Sequence, residues 1–183
     1  TEFRSIVDYL NFREIDVLIN CAGINIPLIK EENGLDNYHN FKNHMDVNFY
    51  GSNHLINFLL PKMQQNKYGR ILNIGSVWLN LAKQNRGAYS VSKAALHAVT
   101  KQIAIEDSKN GILCNTLSPG FVETDMTFKN NTDEEISIIQ KEIPIQRLAK
   151  PEEIAKLAYF LTVENTYING QNIIIDGGYS ICA

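Results

Sequence analysis

The chain has 183 residues, with 17 lysines and arginines against 20 aspartates and glutamates, so its formal net charge is −3. This length fits one domain with its own core, and the absence of a basic stripe argues against nucleic acid as the main partner. No apolar stretch is long enough to cross a membrane, and the first residues lack a signal-peptide pattern, so we expect a cytoplasmic protein.

The cysteine pattern gives no sign of a structural cross-link. The three cysteines, Cys21, Cys114 and Cys182, are an odd number without C-x-x-C spacing, so neither a disulfide framework nor a zinc site is expected, and we expect no metal. Cys21 and Cys114 stand in apolar runs, where cysteine usually behaves as a small buried hydrophobe.

Four short apolar runs predict buried strands, at residues 16–20, 70–74, 112–117 and 172–176. None alternates cleanly, which is typical of parallel strands covered on both faces. Helical patterns separate the runs, at residues 38–65, 88–108, 134–141 and 151–161. This alternation predicts an α/β fold with a parallel sheet. The polar segment from Gly120 to Asp133 is long enough to be a mobile loop.

Small polar residues follow three predicted strands at their carboxyl ends, where open α/β sheets bind ligands. The first strand leads into residues 20–23 (Asn-Cys-Ala-Gly), the second into Gly75-Ser76, and the third into residues 118–120 (Ser-Pro-Gly). Small residues let a ligand approach the backbone. Three such ends together therefore indicate a ligand site.

A tyrosine and a lysine stand four residues apart in the second long helical pattern. Tyr89 and Lys93 therefore share a helix face, where an ammonium beside a phenol is expected to lower the pKa of the phenol toward working pH. Such a tyrosine can give or take a proton. Ser76, at the end of the preceding strand, can hydrogen-bond a substrate oxygen beside Tyr89.

These motifs, in this order, resemble those of the short-chain dehydrogenase/reductase family, and closely its 3-oxoacyl-[acyl carrier protein] reductase branch. NCAG at residues 20–23 is similar to the family's NNAG motif, with Cys21 replacing the second asparagine. Residues 89–93 match its YxxxK motif, and residues 115–124 its N-x-x-x-P-G segment with the following threonine. The resemblance covers essentially the whole chain and implies a Rossmann-like, doubly wound parallel sheet in one domain, residues 1–183.

The resemblance implies four catalytic residues. Tyr89 would be the general acid that protonates a carbonyl oxygen as hydride arrives, and Ser76 would hold that oxygen. Lys93 would lower the pKa of Tyr89 and hydrogen-bond the nicotinamide ribose. Asn48, in the sequence DVNFYG, would anchor a water that links Lys93 to solvent.

The resemblance also implies NAD or NADP as cofactor. Asn20, Ala22 and Gly23 would line its adenosine side. The Val122 backbone would meet the nicotinamide carboxamide, and Thr124 would reach the carboxamide or the phosphate. The residues expected to contact the cofactor are Asn20, Ala22, Gly23, Tyr89, Lys93, Pro119, Gly120, Val122 and Thr124.

The sequence departs from the family pattern at its start. The family opens with a strand, a glycine-rich turn and a helix that together bind the pyrophosphate, whereas this chain begins in the helix before the family's fourth strand. The residue that would select NAD or NADP belongs to that opening segment. We expect a fragment of a longer protein rather than a truncated gene, because all four catalytic residues are present. We also expect that residues 1–183 alone neither bind the cofactor tightly nor catalyse reduction.

The expected function is reduction of the ketone of a 3-oxoacyl thioester, free or carrier-bound, to a secondary alcohol. The same motifs serve many substrates, so a sugar or small-alcohol dehydrogenase remains an alternative, as does an inactive remnant that acts as an oligomerising or binding module. The family pairs the helices at residues 38–65 and 88–108 across a two-fold axis and pairs subunits again through the last strand, so a homotetramer, or at least a dimer, is expected.

Several other residues carry weaker expectations. Trp78 lies in the segment that flanks the substrate in this family, and could equally be a packed aromatic residue. Residues 125–128 correspond to the family's mobile substrate lid. The histidines His39, His44 and His54 are expected at the surface or in an interface.

Overall fold

The predicted strands form one parallel sheet. The computed structural model describes residues 5, 8–10, 13–28 and 35–182, so the helix predicted at the start of the chain lies largely outside the described residues. The strands are β1 (Val17–Asn20), β2 (Gly69–Ile74), β3 (Ile112–Pro119) and β4 (Asn172–Ile175). The helices are α1 (Leu35–His44), α2 (Ser52–Asn66), α3 (Gly87–Asp107), α4 (Asp125–Lys129), α5 (Asp133–Glu142), α6 (Pro151–Tyr159) and α7 (Tyr179–Cys182).

Strand order in the sheet follows chain order, β1-β2-β3-β4, and every neighbouring pair is parallel. The register places Asn20 opposite Asn73, and Asn73 opposite Thr116. Because all strands point the same way, their carboxyl ends lie along one edge of the sheet. Within the described residues β1 is an edge strand, and the side chains of Val17 and Ile19 are exposed.

Apolar clusters cover both faces of the sheet, as the continuous apolar runs predict. On one face Ile71 and Ile112 pack with Ile56 and Met63 of α2 and Ile103 of α3. On the other face Leu72 and Leu117 pack against Leu161, with Ile154 and Leu157 of α6 beside them. Neighbouring residues of β2 thus serve opposite layers, and the predicted doubly wound α/β architecture is confirmed.

Two helical predictions need correction in detail. The helix predicted at residues 38–65 is divided by a π-helical segment, Met45–Gly51, between α1 and α2, and a second π-helical segment, Phe160–Glu164, follows α6. The predicted loop 120–133 contains the short helix α4, because the Thr124 side chain caps it by accepting from the Thr127 N–H. Among the described residues, no helix has the length and apolarity needed to span a bilayer.

Predictions for cysteine and histidine were correct only in part. Cys114 is buried as expected, but Cys21 is exposed, because it lies beyond β1 where the chain leaves the sheet. His44 is fully buried rather than at a surface or interface. The described residues contain no cluster of histidine, cysteine and carboxylate side chains that could hold a metal.

A chain of buried polar side chains connects three strands and α3. The Asn20 amide donates to Asn73 Oδ1 at 2.7 Å, and Asn73 Nδ2 donates to Thr100 Oγ1 at 2.9 Å. Thr100 Oγ1 in turn lies 2.9 Å from Thr116 Oγ1, which His97 Nδ1 also contacts at 3.0 Å. Because buried polar groups are costly without partners, this chain fixes both the strand register and the position of α3.

Replacing the central member of this chain should destabilise the fold. In Asn73→Ala, the Asn20 amide loses its acceptor and Thr100 loses a donor, so the free energy of unfolding should fall by about 2–4 kcal/mol. Urea unfolding of the full-length protein measures this. Asn66→Ala, at an exposed position, is the control and should change stability by less than about 0.5 kcal/mol. Equal effects of the two variants would contradict the structural role of the chain.

Candidate active site

A cleft of about 790 Å³ opens at the carboxyl ends of β1, β2 and β3. One wall is formed by the strand ends, and the other by α6 and the π-helical segment that follows it. Of the residues predicted to contact the cofactor, those lining the cleft are Gly23, Tyr89, Lys93, Pro119, Gly120, Val122 and Thr124. Ala22 is not among the lining residues. The Asn20 side chain is buried in the chain of polar groups that joins the strands to α3. It therefore does not line the cleft, contrary to its predicted place beside the cofactor.

A second, smaller cavity of about 80 Å³ adjoins the cleft. Ser76 and Tyr89 line both spaces. Ser76 follows β2 directly, and Tyr89 lies in the first turns of α3, which places both groups between the two cavities. The structure therefore brings the predicted proton donor and its serine partner together where the two spaces meet.

The Tyr89 hydroxyl does not have the pKa that the sequence predicts. Burial raises the pKa of Tyr89, while a side-chain hydrogen bond with Ser76 and the positive charge of Arg86 lower it less strongly. Lys93 is not among the causes, because its Nζ lies 6.0 Å from the Tyr89 ring centroid and donates instead to the Ile74 carbonyl at 2.7 Å. The lowering of the Tyr89 pKa by Lys93 that the sequence predicts is therefore not seen.

Lys93 is the ionisable group whose pKa lies near working pH. Its side chain is 3% exposed, and burial lowers its pKa to about 8. A group with a pKa in this range can take up and release protons near neutral pH. Lys93 is thus suited to resupply a proton to the site.

Asn48 fixes the backbone that follows β1. It lies in the first π-helical segment and is fully buried. Its Oδ1 accepts from the Ile24 N–H at 2.8 Å, and its Nδ2 donates to the Ile24 carbonyl at 3.0 Å and to Ser92 Oγ at 3.0 Å. Both amide hydrogens are used, so a water could be held only by the remaining lone pair of Oδ1.

Gly23 lies close to both Lys93 and Asn48, and its lack of a side chain leaves space beside them. A Cβ at Gly23 would lie 3.3 Å from Lys93 Nζ and 3.4 Å from Asn48 Oδ1. A larger residue would cover the ammonium on the cleft side. Among the residues that line the cleft, Lys93 is the cation, and the other lining side chains are largely apolar.

His44 holds the same loop and was missed as a site residue by the sequence reasoning. Its Nε2 accepts from the Ile26 N–H at 3.1 Å, and its Nδ1 lies 2.8 Å from the Asn40 carbonyl. Its ring also meets Tyr89 edge-on, with 6.3 Å between the ring centroids. The spacing of four between His44 and Asn48 on a helical pattern was the available signal, since it places both side chains on one face.

Two cations near the smaller cavity were also missed. Arg86 is 9% exposed and lines this cavity together with Lys83. Lys83 Nζ lies 5.3 Å from the Trp78 ring centroid and 5.4 Å from that of Phe121. Arg86 lies three residues and Lys83 six residues before Tyr89, and this spacing was the available signal in the sequence.

The segment predicted as a lid borders both cavities. Met126 and Thr127 of α4 line the cleft and the smaller cavity, and Asn130 Nδ2 donates to the Asn25 carbonyl at 3.1 Å. Trp78 is both a packed aromatic residue and part of a cavity lining. It packs edge-on against Phe121 and Tyr179, and it lines the smaller cavity.

Comparison with known proteins identifies the family of this chain. The family model described as "Enoyl-(Acyl carrier protein) reductase" matches residues 3–180. The chain is 36% identical over 165 residues to an acetoacetyl-CoA reductase of Allochromatium vinosum, a match that covers 90% of this chain and 65% of the relative. It is 35% identical over 170 residues to a 3-oxoacyl-[acyl-carrier-protein] reductase of Rickettsia conorii, covering 90% and 67% respectively.

Solved structures agree with this result. A gluconate 5-dehydrogenase of Burkholderia cenocepacia J2315, in complex with NADP and tartrate, superimposes with a TM-score of 0.88 at 27% identity, covering 98% of this chain and 71% of that one. The chain belongs to the short-chain dehydrogenase/reductase family. It spans less than two thirds of the length of the acetoacetyl-CoA reductase that it matches.

The buried His44 should make stability depend on pH. Burial lowers the pKa of His44 below its ordinary value of 6.5, so below that pH the unfolded chain binds a proton more readily than the folded chain. The stabilisation is therefore present above pH 6.5 and lost as pH falls, at no more than about 1.4 kcal/mol per pH unit. In His44→Gln, whose amide can keep both bonds without titrating, the free energy of unfolding should fall less between about pH 7.5 and 5.5.

Urea unfolding at the two pH values checks this expectation. His39→Gln, which changes an exposed histidine of the same helix, is the control and should behave like the wild type. Equal losses of stability in the wild type and His44→Gln would show that His44 does not titrate on unfolding.

Proposed function

We propose that the full-length protein is an NAD- or NADP-dependent oxidoreductase that interconverts a carbonyl group and a secondary alcohol, with residues 1–183 acting as one domain. The observation that carries the proposal is the position of Tyr89 and Ser76 between two adjoining cavities, one of which contains Lys93. This arrangement supports the proposal, because Tyr89, Ser76 and Lys93 could then act as proton donor, substrate-oxygen donor and cofactor-side cation at neighbouring positions.

Each residue has a separate part in the proposed reaction. The bound nicotinamide supplies or accepts the hydride. Tyr89 donates its phenolic proton to the carbonyl oxygen during reduction, and Ser76 holds that oxygen by a hydrogen bond. Lys93 hydrogen-bonds the ribose and returns a proton toward Tyr89, which its pKa of about 8 permits. Asn48 keeps the Ile24 backbone in place beside Lys93.

We propose two substrate classes for this site. The first is a 3-oxoacyl thioester, supported by similarity to the acetoacetyl-CoA and 3-oxoacyl-[acyl-carrier-protein] reductases. The second is a small polar hydroxy compound, supported by similarity to the gluconate 5-dehydrogenase. The lining of the smaller cavity favours the second class, because the side chains of Asn25, Arg86 and Asn130 are all polar.

We also propose that the protein forms a homotetramer in the cytoplasm. Apolar side chains on the helices that the family pairs across its two-fold axes are exposed in the single chain, among them Tyr50 and Val91. Near the last strand, Tyr167 and Ile181 are almost fully exposed. Contact between subunits would bury these side chains.

Removing the Tyr89 hydroxyl should abolish most of the activity. In the full-length protein, Tyr89→Phe should lower turnover of a ketone substrate by about 10²–10⁴, the usual contribution of a positioned general acid. Steady-state absorbance of the reduced cofactor measures the rate, and circular dichroism checks the fold. Tyr38→Phe, at an exposed tyrosine, is the matched control. A loss of less than about tenfold would rule out Tyr89 as the proton donor.

The assembly can be tested on the same protein. Multi-angle light scattering at micromolar concentration should give the mass of four chains. Val91→Glu should lower that mass by placing a charge in the proposed interface, whereas Ile138→Glu, at an exposed position on α5, should leave it unchanged. A monomeric wild type would contradict the proposal.

A further inference from the structure

The smaller cavity beside Tyr89 has positive charge without a counter-ion. Arg86 and Lys83 both line it, and no aspartate or glutamate does. Arg86 Nη1 donates only to neutral oxygens, the Asn25 carbonyl at 3.3 Å and Asn25 Oδ1 at 3.1 Å. In the part of the chain that the structure describes, neither cation has an ion-pair partner.

A buried cation without an anion is unfavourable in a folded protein. Arg86 is 9% exposed, and removing an unpaired charge from water costs free energy that neutral amide partners recover only in part. A guanidinium presents several N–H groups in a planar fork that matches a carboxylate. An anion entering the cavity would therefore complete the coordination of Arg86.

Lys83 adds a second positive charge at the outer side of the cavity. Its ammonium lies over the Trp78 and Phe121 rings, and the charges of Glu135 and Glu142 act on it, as that of Glu135 also does on Arg86. The Glu135 carboxylate already accepts from the Thr132 N–H at 2.7 Å as part of a helix cap. Both glutamates line a neighbouring depression and not the cavity itself, so neither supplies the cavity with a carboxylate.

We propose that Arg86, supported by Lys83, binds a carboxylate of the substrate, so that the protein acts on a short hydroxy or oxo acid as the free anion. Arg86 precedes Tyr89 by three residues at the start of α3, which places it about one helical turn from the reacting group. An acid group one or two carbons from the carbon that reacts would then be within reach of Arg86. The cavity of about 80 Å³ leaves room for only a few further atoms.

This inference rests on the proposed oxidoreductase function and specifies its substrate. In the oxidative direction, the alcohol carbon gives up its hydride to the oxidised nicotinamide and the alcohol oxygen gives up its proton to the Tyr89 side, leaving a ketone. The carboxylate does not react. It positions the substrate, and Arg86 is accordingly a specificity-determining residue.

The test compares two acids with their neutral methyl esters in the full-length protein. The 2-hydroxy and 3-hydroxy isomers of butanoate, and their esters, are assayed with NAD and with NADP. The wild type should prefer at least one acid over its ester in kcat/KM. Arg86→Gln should lower kcat/KM for that acid by roughly 10- to 100-fold and for its ester by less than about threefold. Arg86→Lys should restore part of the loss.

A matched control removes a positive charge close to the site. Lys129→Gln changes an exposed lysine of α4 that pairs with Asp125 and does not line the cavity, so it should leave both substrates unaffected. If Arg86→Gln lowers acid and ester equally, Arg86 acts through Tyr89 and the proposal is overturned. A wild type that prefers both esters overturns it as well.

Binding separates this inference from the proposed function. Trp78 lines the cavity and is the chain's only tryptophan, so acid binding should change a fluorescence signal that Trp78→Phe lacks. If neither these compounds nor a 3-oxoacyl thioester is turned over with either cofactor, the proposed function fails, yet tighter binding of an acid than of its ester, lost in Arg86→Gln, would still support the anion site. No preference for either acid in this titration overturns it.

Discussion

The position of α3 depends on one chain of buried hydrogen bonds. Asn20, Asn73 and Thr116 lie side by side on three strands, and Thr100 connects them to α3. Each net contribution is only about 0.5–1.5 kcal/mol, but a shift of register would leave several buried groups unpaired at about 1–3 kcal/mol each. The sheet therefore admits one placement of α3, and with it one position for Tyr89 and Lys93.

The loop after β1 is held by a second set of bonds that depends on an irregular helix. The π-helical segment carries Asn48, and His44 ends the regular helix before it. Between them they bind the Ile24 and Ile26 backbone groups, which a loop outside the sheet would otherwise leave without partners. π-Helical turns often occur at functional sites. Here Asn48 of the π-helical turn binds the loop and also, through Ser92, α3.

The sequence predicted the sheet, its strands and most of its helices because each apolar run is short and bounded by Gly, Pro or Asn. It also predicted the grouping of Ser76, Tyr89 and Lys93, because parallel strands bring their ends together. It could not predict that Asn20 turns into the sheet rather than the cleft, since that depends on register. The buried state of His44 and the lack of an ion pair for Arg86 depend on contacts between residues far apart in the chain.

The pKa of Tyr89 illustrates the limit of reasoning from spacing. A spacing of four residues places Lys93 on the same helix face as Tyr89. The Lys93 ammonium donates to the Ile74 carbonyl instead, and burial is the largest influence on the pKa of Tyr89. The two cations near Tyr89, Lys93 and Arg86, therefore line different cavities. Lys93 lines the larger cleft and Arg86 the smaller cavity, while Tyr89 and Ser76 line both. In the proposed reaction a hydride and a proton reach the same carbonyl group from different partners, so a carbonyl group at this junction could meet one on each side.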